Sequence, residues 1–245
     1  MGLNALAQSQ SGMSDTLGHW VQDGLRHHQE GHFDQAQMVY EAILAADPDQ
    51  IMVMSLLGLI HHQRGDSAVA EKLIRKAVEM APESAVLRDH LGLALDGLGE
   101  TDEAMQSHAT SVILDPSHAP GWYNLGMMLM RVGRDTDALQ CVMRALDIDP
   151  RSPIYRTSFG RVLAKLGHRV EAADAYRLAL LADSSFAEAF TGLAALWEEI
   201  GQADDATTAR RAAQQLHDGM ADPTGALAQD IFQRVRASFP STATH

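Results

Sequence analysis

The chain has 245 residues, 46% of them hydrophobic, and carries a formal net charge of -13 at pH 7. This acidic balance argues against nucleic acid as a partner, because phosphates would be repelled, and makes a basic or apolar partner easier to accept. The single cysteine, Cys141, excludes a disulfide within the chain and favours a reducing compartment, so we expect a cytoplasmic protein.

Residues 1–16 are expected to be an N-terminal extension that is partly disordered. They lack the basic segment and the long apolar run of a secretory signal. No later stretch is apolar over the length that a membrane-spanning helix needs. We therefore expect no direct membrane insertion.

From residue 17 onward, four classes of small or turn-forming residue recur at intervals of 34 residues. The first two classes are Gly24, Gly58, Gly92, Gly126 and Gly160, and Gly31, Gly65, Gly99, Gly133, Gly167 and Gly201. The other two are Ala36, Ala70, Ala104, Ala138, Ala172 and Ala206, and Pro48, Pro82, Pro116 and Pro150. Four independent classes in one register indicate an internal repeat.

Each repeat is predicted to be a helical hairpin. A glycine inside a helix costs roughly 1 kcal/mol relative to alanine, so Gly126 indicates a close contact between the first helix and Ala138 on the second. Gly133 would supply the turn, because a residue without Cβ can adopt positive φ. Pro150 would end the second helix, since proline inside a helix removes a hydrogen bond and clashes with the preceding turn.

The stretch from Gly121 to Pro150 resembles the tetratricopeptide repeat in the spacing of Trp122, Leu125 and Gly126. The resemblance implies an all-α fold, a right-handed superhelical solenoid of six helical hairpins. The six repeats are expected at residues 17–50, 51–84, 85–118, 119–152, 153–186 and 187–220.

A further helix is predicted at residues 223–239, where Leu227, Ile231, Val235 and Phe239 recur every fourth residue. This spacing places the four apolar side chains on one face of a helix. We expect a capping helix that covers the open apolar side of the sixth repeat. The alternatives are a dimer contact or a segment that occupies a groove, and residues 240–245 are expected to be a disordered tail.

In the family that the chain resembles, the first helices line a concave face, and the position after the helical glycine points into it. Here that position gives Leu25, Leu59, Leu93, Met127 and then Arg161. Methionine side chains suit adaptable binding because they are flexible and polarizable. The predicted groove for a partner protein comprises Leu25, Leu59, Leu93, Tyr123, Asn124, Met127, Met130, Arg131, Arg161 and Lys165. The alternative is that some of these residues belong to the core between helices.

Charge is uneven along the repeats. Arg161 and Lys165 are four residues apart and so share a helix face, and Arg131 is equivalent to Lys165 in the preceding repeat. Such a basic stripe could hold a carboxylate of the partner, and the alternative is a solvated charged surface.

The histidine pair His27 and His28 recurs 34 residues later as His61 and His62. Equivalent positions on adjacent hairpins should be neighbours, which makes a metal or pH-sensing site geometrically possible. No cysteine, aspartate or glutamate recurs beside the pairs at ligand spacing, so we favour ordinary packing. We predict no metal site and no cofactor.

No glycine-rich phosphate loop, nucleophile elbow or paired metal motif appears, so we predict that the chain is not an enzyme. The sequence also resembles the repeat arrays that precede bacterial O-linked N-acetylglucosamine transferase-like catalytic domains, although the asparagine ladder of those arrays is reduced to Asn124. We predict a scaffold that binds a peptide or amphipathic helix of another protein. The alternatives are a regulatory or substrate-recruiting subunit of a glycosyltransferase-type enzyme, and a self-assembling structural scaffold that forms homo-oligomers.

Overall fold

The structure is a computed structural model that describes residues 18–219 and 225–240, and within these ranges it contains helices and no strand. The predicted all-α class is therefore confirmed. The predicted N-terminal extension, residues 1–16, and all but the first residue of the predicted tail, residues 240–245, lie outside the described ranges.

The described ranges contain thirteen helices: twelve follow one another as six hairpins, as predicted, and one further helix lies at the end. Those of the first three hairpins are α1 (18–29), α2 (Phe33–Ala46), α3 (Ile51–Gln63), α4 (Ser67–Met80), α5 (Ala85–Leu98) and α6 (Thr101–Leu114). The remaining seven are α7 (Ala119–Arg131), α8 (Asp135–Ile148), α9 (Pro153–Lys165), α10 (Arg169–Ala182), α11 (Ala187–Glu199), α12 (Ala203–His217) and α13 (Ala226–Ser238). No helix in the part of the chain that the structure describes is both long and apolar enough to cross a membrane.

The turn between α7 and α8 shows why each hairpin closes where it does. Gly133 has φ of +79°, the left-handed conformation that glycine adopts most readily. The N–H of the following Arg134 donates to the carbonyl of Leu129 over 2.9 Å, which closes the end of α7. Helix α8 then ends at Ile148, two residues before Pro150. The predicted turn at Gly133 is therefore confirmed, and α8 ends before Pro150 as predicted.

Gly126 lies at a close contact between α7 and α8, as predicted. A Cβ at this position would stand 3.0 Å from Val142 Cγ2 and 3.3 Å from the carbonyl oxygen of Ala138. The equivalent glycines face the residue sixteen positions later in the same way. The side chains that fill this place are Tyr40, Ile74, His108, Val142 and Tyr176. The glycines of the first helices therefore make room for the second helices.

The chain divides into two compact units, Met1–Pro116 and Ser117–His245, which we call the N-terminal and C-terminal units. In the N-terminal unit, α2 packs on α3, α4 packs on α5, and α3 also contacts α5. One part of its core is formed by Tyr40, Ile43, Val53 and Ile60, all of which are buried.

The core of the C-terminal unit extends through the last helix. Helix α13 packs against α10 and α12, and its residues Ile231 and Val235 are almost fully buried. The Phe239 ring lies 6.3 Å from that of Trp197, between centroids. Leu227, the first of the four apolar residues predicted to share one face of this helix, is only partly buried. The apolar face of α13 therefore contacts the core of its own unit, as a capping helix should.

Gly192 explains a departure from the repeat. It lies two residues before Ala194, which stands where the preceding repeats have their helical glycine. A Cβ at Gly192 would stand 2.4 Å from Cζ of Tyr176. The same Tyr176 ring also contacts Gly160, so the phenol of α10 is accommodated by a glycine of α9 and a glycine of α11.

Candidate functional site

The predicted groove residues of the C-terminal unit meet where α7 and α9 lie side by side. Arg161 on α9 directs Nη2 at the sulfur of Met127 on α7, at 2.7 Å. These residues are 34 positions apart, so they occupy the same place in consecutive repeats. Within the described residues Arg161 pairs with no carboxylate, and its side chain is exposed. A positive charge without a counter-ion therefore stands beside an apolar side chain.

Lys165, which was predicted to act with Arg161, differs from it because its charge is paired with a carboxylate. Its Nζ lies 2.8 Å from Oδ1 of Asp135 and also donates to the carbonyl of Met130 over 2.8 Å. Asp135 is the first residue of α8. The charge of Lys165 is therefore compensated inside the protein, and Arg161 carries the free positive charge of this surface.

An aromatic pair lies further toward the start of the same two helices. The rings of Tyr123 on α7 and Tyr155 on α9 are 5.3 Å apart between centroids, with an angle of 37° between their planes. Both side chains are half-buried, so each presents part of its ring to solvent. Aromatic side chains of this kind offer large contact area at a low cost in conformational entropy.

We define the α7–α9 surface as the six residues that these contacts bring together on α7 and α9. They are Tyr123, Met127, Met130, Tyr155, Arg161 and Lys165. Two further predicted residues lie on α7. Asn124 is half-buried, and the exposed Arg131 directs Nη2 at the sulfur of Met128, at 3.1 Å.

Tyr155 was not predicted from the sequence. It follows Tyr123 by 32 residues, so a search at the repeat spacing of 34 does not connect the two. A signal was nevertheless present, because two tyrosines near the start of consecutive first helices suggest a pair on one face.

The three predicted leucines belong to the N-terminal unit. Leu25 is half-buried and packs against the core cluster around Tyr40, which favours the core alternative for this residue. Leu59 on α3 and Leu93 on α5 are also half-buried, and these two helices contact each other. The predicted groove residues are thus divided between the two units, and Leu59 and Leu93 are partly exposed residues of the N-terminal unit.

The two histidine pairs do not form one cluster. His28 Nε2 lies 2.8 Å from the side-chain oxygen of Gln63, while His62 Nδ1 lies 3.2 Å from the hydroxyl of Ser67. Burial lowers the pKa of His62, and the Asp96 carboxylate opposes part of this effect. Among the residues with described side chains, the pairs make no hydrogen bond or ring contact with each other.

Cys141 is buried against the helix contact at Gly126. Burial raises the pKa of its thiol to about 11, and the nearby Asp137 carboxylate adds to the effect. The thiol is therefore protonated at neutral pH, and a nucleophilic role for it is disfavoured because the thiolate is the reactive form.

Comparison with known sequences identifies the repeats. Residues 24–85 and residues 119–152 match two families that are both described as tetratricopeptide repeat. No curated protein is significantly similar to the chain.

Solved structures agree with this assignment at the level of the fold. The chain is similar to Pseudomonas aeruginosa pilF, with 20% identity over 91% of this chain and 99% of that one and a TM-score of 0.68. It is also similar to a thermophilic TPR protein of Thermus thermophilus, with 18% identity over 74% and 99% of the two chains and a TM-score of 0.68. A chain of the APC/C hetero-tetramer Cut9-Hcn1 gives a TM-score of 0.75 at 16% identity over 89% of this chain and 42% of that one. Helical hairpins closed by glycine turns, two matching sequence segments and these neighbours lead to one conclusion: the chain contains tetratricopeptide repeats, which are matched at residues 24–85 and 119–152.

Proposed function

We propose that this chain is a protein-interaction adaptor that holds a peptide or an amphipathic helix of another protein. The α7–α9 surface is the proposed binding surface of the C-terminal unit, within the concave groove that the repeat family implies. The observation that carries this proposal is the contact between Arg161 and Met127, which joins an apolar surface to a cation that has no carboxylate partner among the described residues. Helical repeats of this kind commonly present extended surfaces to protein partners.

The composition of the surface indicates what a partner should offer. Burying a methionine or leucine side chain contributes about 1.5 to 3 kcal/mol, whereas an exposed ion pair contributes about 0 to 1. Tyr123, Tyr155 and Met127 should therefore supply most of the affinity, and Arg161 should fix the direction of the bound segment. The partner should carry an apolar stripe followed by an acidic side chain or a C-terminal carboxylate.

Leu59 and Leu93 are proposed as a second apolar contact, located on the N-terminal unit. Both side chains are half-buried, so each keeps surface that a partner could cover. Changing both to glutamate places charge where the partner would bring an apolar side chain. Such a variant should lose capture of the partner while it keeps its helical circular dichroism.

Affinity capture from the native cell with quantitative mass spectrometry tests the proposal. Tyr123→Ala should lower recovery of the partner at least tenfold, because an aromatic anchor is removed. Arg161→Ala should lower recovery only a few-fold, with a larger effect at low salt. Arg144→Ala, at an exposed site on α8, is the matched control and should behave as the wild type.

Circular dichroism must first show that each variant is folded. Full recovery by a folded Tyr123→Ala variant would contradict the proposed surface. Recovery of a catalytic domain that lacks repeats would favour the regulatory-subunit alternative, and recovery only of further copies of this chain would favour the structural-scaffold alternative.

A further inference from the structure

A set of metal-binding side chains lies at the turn between α1 and α2. His27 is in the last turn of α1, and Glu30 and His32 follow on either side of Gly31. One ligand atom from each of the three side chains lies within 4.8 Å of the others. Glu30 Oε2 lies 3.1 Å from His32 Nδ1 and 3.6 Å from Nη1 of Arg26. We call these three residues the His–Glu–His cluster.

The backbone holds the cluster in place. The N–H of His32 donates to the carbonyl of His27 over 2.8 Å, and the N–H of Gly31 donates to the carbonyl of His28 over 3.1 Å. Gly31 has φ of +75°, so this is the paired hydrogen-bond arrangement that often ends a helix. The two histidines are therefore joined by a closed turn. The carbonyl end of α1 also favours a cation at this location.

The later repeats show that the turn does not itself require these residues. In the second repeat the same bond joins Asp66 to His61, but Arg64 stands where the first repeat has Glu30. Arg64 offers no ligand atom for a metal ion, because a guanidinium group has only donors. In the four following repeats the position of His27 is occupied by an apolar residue, namely Leu95, Leu129, Leu163 and Trp197. Three metal-binding side chains therefore occur together only at the first of the six equivalent turns.

The distances suit a small divalent ion. Two donors that are each about 2.1 Å from a tetrahedral zinc ion stand about 3.4 Å apart. The Glu30 to His32 distance is already close to this value. No pair has to close by more than about 1.4 Å, which rotation of the exposed Glu30 and His32 side chains can supply.

The two ring nitrogens of His27 have different surroundings. Its Nδ1 is buried without a hydrogen-bond partner, whereas its Nε2 lies 3.8 Å from Oδ2 of Asp23, one turn earlier on α1. The Nδ1 atom of His27 therefore has no competing hydrogen bond in the described part of the chain.

We propose that the His–Glu–His cluster binds one divalent transition-metal ion of the zinc type. Two imidazoles and one carboxylate are ligands that zinc accepts, and water would complete the tetrahedron. The site is independent of the proposed binding surface, which lies in the other unit.

Isothermal titration of the untagged chain with Zn²⁺ tests the proposal, and Co²⁺ absorption provides a second readout of coordination geometry. The wild type should bind one ion at a distinct site. Glu30→Gln and His32→Ala should each weaken this binding at least tenfold. His168→Ala is the matched control, because His168 takes the place of His32 in the fifth repeat without the two partner ligands, and it should bind as the wild type does.

The altered side chains are exposed, so the variants should keep their circular dichroism and thermal unfolding in the absence of metal. Three results would each overturn the proposal. They are absence of a saturable site in the wild type, unchanged affinity in Glu30→Gln and His32→Ala, and an equal loss of affinity in His168→Ala.

Discussion

Gly92 on α5 lies directly against the imidazole of His108 on α6. A Cβ at Gly92 would stand 2.5 Å from Cε1 and 2.7 Å from Nδ1 of the ring. The same Nδ1 lies 2.7 Å from Oδ1 of Asp89, and both side chains are almost fully buried. The glycine therefore makes room for a buried hydrogen bond, where the neighbouring repeats have Ile74 or Val142.

Gly92→Ala should destabilise the chain by about 1 to 3 kcal/mol, because the added methyl group must displace the His108 ring. Gly126→Ala is the comparison. Its Cβ would meet neighbours at 3.0 to 3.3 Å, and the gain in helix propensity of roughly 1 kcal/mol should offset much of the crowding. Denaturant unfolding measures both changes. Equal stability of the two variants would mean that the His108 ring moves at little cost.

The buried pair makes a separate prediction. Asp89→Ser should cost about 3 to 5 kcal/mol, since it leaves the buried imidazole without its carboxylate. The second repeat has Ser55 and Ile74 at the equivalent places, so Asp89→Ser combined with His108→Ile transfers a combination that the chain already uses. The double variant should recover at least half of the loss. A double variant that is less stable than Asp89→Ser alone would contradict this account.

The repeat itself could be predicted because its spacing reflects backbone geometry. Gly126 and Gly133 must be small or must adopt positive φ wherever the hairpin recurs, so their positions reveal the fold. The contact between Gly192 and Tyr176 could not be predicted in this way. It depends on how far one hairpin is displaced along the next, which no single repeat encodes.

The lowered pKa of His62 should make the stability of the folded chain depend on pH. Because burial lowers the folded-state pKa of His62 below its ordinary value of 6.5, the unfolded chain binds more protons in this range. This contribution therefore leaves stability unaffected above about pH 7 and lowers it as the pH falls through about 6.5. Between about pH 8 and about pH 5.5, the free energy of unfolding should fall less for His62→Gln than for the wild type. His168→Gln, at an exposed turn, is the control and should lose as much stability as the wild type. A loss of stability in His62→Gln equal to that of the wild type would contradict the prediction.

Removal of α13 should expose the core of the C-terminal unit. A chain that ends after Ala221 lacks Ile231, Val235 and Phe239, whose burial contributes about 1.5 to 3 kcal/mol per side chain. The exposed apolar surface should lower stability and promote association. Light scattering and thermal unfolding measure these effects, with a chain that ends after Pro240 as the control. A monomeric and equally stable short chain would show that α13 is not a cap.

The candidate site was only partly accessible from the sequence. Met127 and Arg161 could be related because they occupy equivalent places in consecutive repeats. The pairing of Lys165 with Asp135 could not, because it joins a first helix to the second helix of the preceding hairpin and depends on side-chain rotamers. The two basic residues therefore looked alike in the sequence, although in the structure Lys165 pairs with Asp135 and Arg161 pairs with no carboxylate of the described residues.

Photo-crosslinking from within the proposed surface tests the central claim most directly. A benzophenone amino acid in place of Tyr123 keeps an aromatic side chain at the α7–α9 surface, and the same probe in place of the exposed Met143 on α8 samples a different face. The account predicts covalent adducts with a partner protein from the Tyr123 probe, which Arg161→Glu reduces, and none from the Met143 probe. Adducts of equal yield from both probes, or from the Met143 probe alone, would contradict recognition by the α7–α9 surface.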